Sequence, residues 1–195
     1  MRTAWGYDVE DSLDPIISVA DFNAMTGQGY SDNPRVEAAL LAASQAIRNY
    51  CGWHITPSVD CTAYPAGGTR VMRLPAGYVS AISKITEDST EVDSTDYEWK
   101  RSGLIRRRCH PWSDSWDGIE VEYTAGYSPE AVPDLVEAVC SIASGIMSVA
   151  PGVTQETADG VSITYSSNAS SIAAALTSQQ KSALDAYRVV SSHAT

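Results

Sequence analysis

The sequence predicts an α+β fold, a helical bundle core with an inserted small antiparallel β-sheet. Three observations carry the prediction. Apolar residues recur at helical spacing over 33–51 and again over 133–149. Between them, residues 59–124 break into short β-rich pieces. A last helical pattern closes the chain after residue 176. With 195 residues, the chain can bury a sizeable core as one domain or as a domain with an insertion. The expected organisation is N-terminal helices over 1–58, an inserted β-rich region over 59–127, a central buried helix and short strand over 128–165, and a linker with a C-terminal helix over 166–195.

Taken in order, ISVADF places Ser18 to cap a helix, Asp21 to answer the cap, and Ile17 and Phe22 at the spacing of a hydrophobic staple. That helix runs to about Gly27. Asn33 and Pro34 form a cap and first-turn pair for the next one, whose Val36, Leu40, Ala43, Ile47 and Tyr50 share one face. Gly52 ends it. The pieces VDCTAY and TRVMRL around Gly67 and Gly68, then VSAISKI, DYEWK, LIRR and IEVEY, are the strands of the inserted sheet.

The stretch VEYTAGYSPEAVPDLVEAV, residues 121–139, has the strand, glycine, helix order of a phosphate site. Glu130, Asp134 and Glu137 at the helix opening would repel a phosphate, and no Lys-Ser/Thr loop is present. It is a corner joining a sheet to a helix, with Pro133 in the first turn. In that helix Asp134, Glu137, Ser141, Ser144 and Ser148 form one narrow polar stripe, so the rest should be covered. Ala143 and Gly145 would let a neighbouring backbone approach closely, either the helix over 33–51 or another subunit, and with Ile146 and Met147 they are the expected subunit interface. GVSITYSS is strand-like, and a Ser/Asn/Ala linker follows to about Ala175. The last helix, about 14 residues, opens on a Thr177 and Gln180 capping box and carries Leu184, Tyr187 and Val190 on one face.

Chemistry is sparse. Cys51, Cys61, Cys109 and Cys140 match no metal-ribbon or disulfide spacing, and the three histidines, His54, His110 and His193, complete no standard zinc site. No hydrolase, zincin or di-iron motif occurs, so no catalytic, cofactor or metal residue is assigned. Net charge is −11, from 24 acidic and 13 basic residues, which argues against general nucleic-acid affinity. The acidic start is unlike a signal peptide and the longest apolar region carries charges, so a soluble protein made in the cytoplasm is expected. One feature opposes the charge. WKRSGLIRRRCH gathers Lys100, Arg101, Arg106, Arg107 and Arg108, either a docking patch for an acidic partner or DNA phosphate, or the wet side of a hairpin. Trp112 and Trp116 in the adjoining loop are interface aromatics or fold back over the sheet.

In their order, ISVADF, IRNYCGWHI, LPAGYVSAISKI, VEYTAGY with PDLVEAV, and LTSQQKSALDAYRVV resemble the head–tail connector (adaptor) proteins of tailed bacteriophages and gene transfer agents. The resemblance covers most of the chain and implies no cofactor and no enzymatic activity. It implies a ring of this chain, twelve subunits in the family, bound to the portal on one side and a stopper or tail protein on the other, in the virion neck, with genomic DNA passing through. Leu184, Tyr187 and Arg188 are then the expected portal-docking residues. A tail-completion protein of the same virion and a non-viral small-molecule-binding α+β domain are the alternatives.

Overall fold

The strand Ile119–Ala125 buries every second residue, Ile119, Val121, Tyr123 and Ala125, and is hydrogen-bonded on both sides. Around it the computed structural model, which describes residues 1–9, 12–30, 33–148, 155–158, 161–164 and 176–189, shows an α+β chain richer in sheet than the sequence implied. The strands are β1 (Tyr7–Val9), β2 (Val59–Ala63), β3 (Val71–Arg73), β4 (Val79–Glu87), β5 (Thr90–Glu91), β6 (Tyr97–Lys100), β7 (Leu104–Arg107), β8 (Ile119–Ala125), β9 (Gln155–Ala158) and β10 (Val161–Thr164). The helices are α1 (Val19–Thr26), α2 (Pro34–Cys51), α3 (Pro133–Ser148) and α4 (Ser178–Leu184).

The chain divides into two units. The first holds Met1–Leu13, Cys51–Ala131 and the chain from Tyr187. Its larger sheet is antiparallel in the order β1-β2-β8-β4-β5, and a second antiparallel sheet has the order β3-β7-β6. This overturns the helical bundle core. The alternating strands bury Val9, Cys61, Ala63, Val79, Ile85 and the inward face of β8, so a sheet carries a core of its own. It is also not confined to an insertion, because residues 7–9, expected among helices, add the edge strand β1. The pieces VDCTAY and TRVMRL fall in different sheets: β2 lies between β1 and β8, while β3 pairs with β7. Both sheets are antiparallel, as expected.

The second unit holds Asp14–Tyr50 and Val132–Ala186. Local signals set its helices. Ser18 Oγ accepts from the Asp21 N–H at 3.1 Å, and Gly27 closes α1 in the left-handed region at φ 68°. Val36, Leu40, Ala43 and Ile47 are fully buried on α2. On the same helix, buried Ser44 Oγ accepts from the Ile16 N–H at 3.0 Å and buried Arg48 donates to the Asp14 carbonyl at 2.9 Å, which fastens the segment before α1. On α3, the stripe from Asp134 to Ser148 is exposed while Leu135, Val139, Ile142 and Ala143 are buried. Thr177 and Gln180 form the capping box of α4, which is shorter than expected and ends in a 3-10 turn, Asp185–Tyr187. The strand-like GVSITYSS corresponds to β10, paired with β9. The linker expected over 166–175 and Val190 lie outside the described residues.

Candidate functional site

Alternation along β7 sorts the arginines. Ile105 and Arg107 point to the buried side and Arg106 to the outer one. Arg107 Nη2 meets Glu87 Oε2 at 3.1 Å with both side chains largely enclosed, and its guanidinium lies 4.8 Å from the centre of the Trp112 ring. Trp112 is buried. These two residues, expected at a docking surface, hold the sheet together instead. Arg106 and Arg108 remain largely exposed and share Glu98, at 2.5 and 3.2 Å. The hydrogen bond from Arg106, with the charges of Arg106 and Arg108, holds the Glu98 carboxyl below its usual range. Sequence reasoning passed over Glu87 and Glu98; the alternation Ile105, Arg107 was the signal that one arginine turns inward.

The outer face of β3-β7-β6 has two rows, Val71–Arg106–Glu98 and Arg73–Leu104–Lys100. With Arg70, Arg101, Arg107 and Arg108, this sheet and its turns carry seven of the chain's 13 basic residues. Arg101 lies over the Tyr78 ring at 5.9 Å, and Tyr78 stacks on Tyr127 at 4.5 Å. Trp116, by contrast with Trp112, is 99% exposed at the tip of the loop after this sheet.

The other expected sites separate in the same way. On α3, Ala143 is fully buried in the subunit, Ile146 and Met147 are half-buried, and Gly145 is exposed with open space where a Cβ would stand. Near the C-terminus Leu184 is buried. Tyr187 meets Tyr127 edge-on at 6.0 Å, and its carbonyl accepts from Trp53 Nε1 at 2.6 Å. Arg188 is exposed.

No metal centre is gathered among the described residues. Cys51, Cys61 and Cys140 are buried and Cys109 is exposed, and none of the four is in a disulfide. Burial, reinforced by the Asp60 charge, pushes the Cys61 thiol up to about 12, so it stays protonated at neutral pH. His54 is a structural residue: its Nδ1 accepts from the Tyr7 hydroxyl at 2.7 Å, and its Nε2 donates to the Ala125 carbonyl at 3.0 Å. Among the described residues no helix is long and apolar enough to cross a membrane.

The outer face of β3-β7-β6 and the exposed Trp116 are surface features of the first unit. A family model of head completion proteins matches residues 15–190, and the chain belongs to that family. The resemblance to head–tail connectors is thereby borne out, and with it a structural role in the virion. Two solved structures share the fold. One is a chain from the neck of a native gene transfer agent (GTA) particle computed with C12 symmetry, with a TM-score of 0.62 and 16% identity over 94% of this chain and 95% of that one. The other is from the neck of an empty GTA particle computed with C6 symmetry, with a TM-score of 0.59, 17% identity and the same coverage, 94% and 95%. No curated protein matches by sequence.

Proposed function

We propose that the chain is one subunit of a ring in the neck of a phage-like particle. The ring sits between the portal and a stopper or tail protein and forms the conduit for the genome. The observation that carries this is membership of the head completion family over residues 15–190. The two similar neck chains, from particles computed with C12 and C6 symmetry, support a ring and favour twelve subunits. A ring requires a heterologous interface repeated about an axis. The exposed Gly145, with half-buried Ile146 and Met147, supplies one small, apolar candidate surface.

The role is mechanical rather than enzymatic. A net charge of −11 suits a passage from which DNA must slide without adhering, because like charges repel the phosphates. The C-terminal region is the part we assign to the portal, with Arg188 as its exposed cation.

Particles made without this protein are expected to contain heads that do not join tails and do not retain their genome, and purified protein should restore joining. Normal tailed, DNA-filled particles in its absence would refute the role.

A further inference from the structure

Trp116, at 99% exposure, touches essentially nothing of its own subunit, and its indole stands in water. Backbone hydrogen bonds hold the loop on either side of it. The Ser113 N–H donates to Glu87 Oε1 at 2.7 Å, the Gly118 N–H to the Ser115 carbonyl at 3.1 Å, and the Asp88 N–H to the Gly118 carbonyl at 2.7 Å. Asp117 holds a left-handed φ of 53° within this frame. A large aromatic presented on a pinned loop loses little further entropy on docking, which is how interface anchors behave. On either side of it stand Asp114 and Asp117.

The same unit carries the complement. On the outer face of β3-β7-β6, Val71 is 46% exposed beside Arg106, which pairs with Glu98 through its edge, and Arg73 and Lys100 in the next row leave the face net positive. We infer that the Trp116 loop of one subunit docks on this sheet face of a second copy of the chain. The indole covers Val71 and meets the Arg106 guanidinium through its ring face, while Asp114 and Asp117 approach Arg73 and Lys100. Charge complementarity selects the occupant. A cationic face in a chain of net charge −11 finds its opposite on another copy, and DNA would use the cations but leave an acid-flanked tryptophan without a role. Trp116 does not cover the sheet face of its own subunit, so both are open to a second copy. A one-way contact, the loop of each copy on the face of the next, is heterologous and forms a ring where its rotation closes. The inference rests on the ring proposed above and names the surfaces that join it.

Particles assembled with full-length chain carrying Trp116→p-benzoylphenylalanine are irradiated and imaged. The expected product is a ladder of cross-linked copies of this chain, with adducts in segments 71–73 or 98–106. An adduct on another neck protein or on DNA, or no adduct from particles whose images show the ring, overturns the docking while leaving the ring intact. Images without a ring of this chain overturn both. In a parallel assay, Trp116→Ala should raise the concentration needed to restore tail joining by about 30-fold without changing the melting temperature. An unchanged concentration overturns the inference.

Discussion

Gly126→Ala is expected to destabilise the protein by about 3 kcal/mol or more, combining backbone strain with overpacking. Gly126 has φ 109°, and a Cβ there would stand 2.3 Å from the Pro57 carbonyl oxygen and 2.8 Å from His54 Nε2. Neither neighbour can give way cheaply. His54 is held at Nδ1 by the Tyr7 hydroxyl, whose oxygen also accepts from the His54 backbone N–H at 3.0 Å, and at Nε2 by the Ala125 carbonyl. The corner is further fixed by the Gly126 N–H on the Tyr78 carbonyl at 3.1 Å and the Tyr127 N–H on the Ile55 carbonyl at 2.7 Å. The glycine between strand and helix is thus a packing requirement, and the acids that follow it had already argued against a phosphate site. Urea denaturation measures the change as a lower midpoint at constant slope. A loss below about 1 kcal/mol would show that the corner relaxes.

Arg107→Ala should cost about 3 kcal/mol, whereas Arg106→Ala and Arg108→Ala should each stay within about 1 kcal/mol. Removing Arg107 leaves the Glu87 carboxylate, only 13% exposed, without its cation and uncovers the buried Trp112 ring. Glu87 also holds the Ser113 N–H, so the damage spreads into the loop that presents Trp116. The outer pair lose only exposed contacts with Glu98, more than two-fifths of which is in water. Denaturation of the three variants side by side checks the ordering. Equal losses would mean that the inward and outward arginines of β7 are not distinguished in solution.

Those three consecutive arginines show what was legible and what was not. Signals that act within one turn of chain, such as Ser18 with Asp21, Gly27, Pro133, and Thr177 with Gln180, fixed the helix ends, since a cap and its partner are neighbours in sequence. The helical bundle core failed because sheet order is non-local. Nothing in YDV announces that residues 7–9 will pair with residues 61–63, or that β2 will bypass β3 to reach β8. Among the candidate site residues, composition found the basic cluster and the two tryptophans. Separating Arg107 from Arg106 needed strand register, which was available from the inward Ile105. Separating Trp112 from Trp116 needed the loop's three-dimensional course, which three intervening residues do not reveal. Recognition of the family succeeded where the architecture was misjudged, because it rested on the order of several segments rather than on how they pack.

The most direct measurement is an image reconstruction of the neck of the assembled particle, with this chain fitted into it. The account predicts a closed ring of this chain, of twelve copies, between portal and stopper or tail, with the Trp116 loop of each subunit against the β3-β7-β6 face of the next. A neck without a ring of this chain, or the chain found only within the tail, would contradict it.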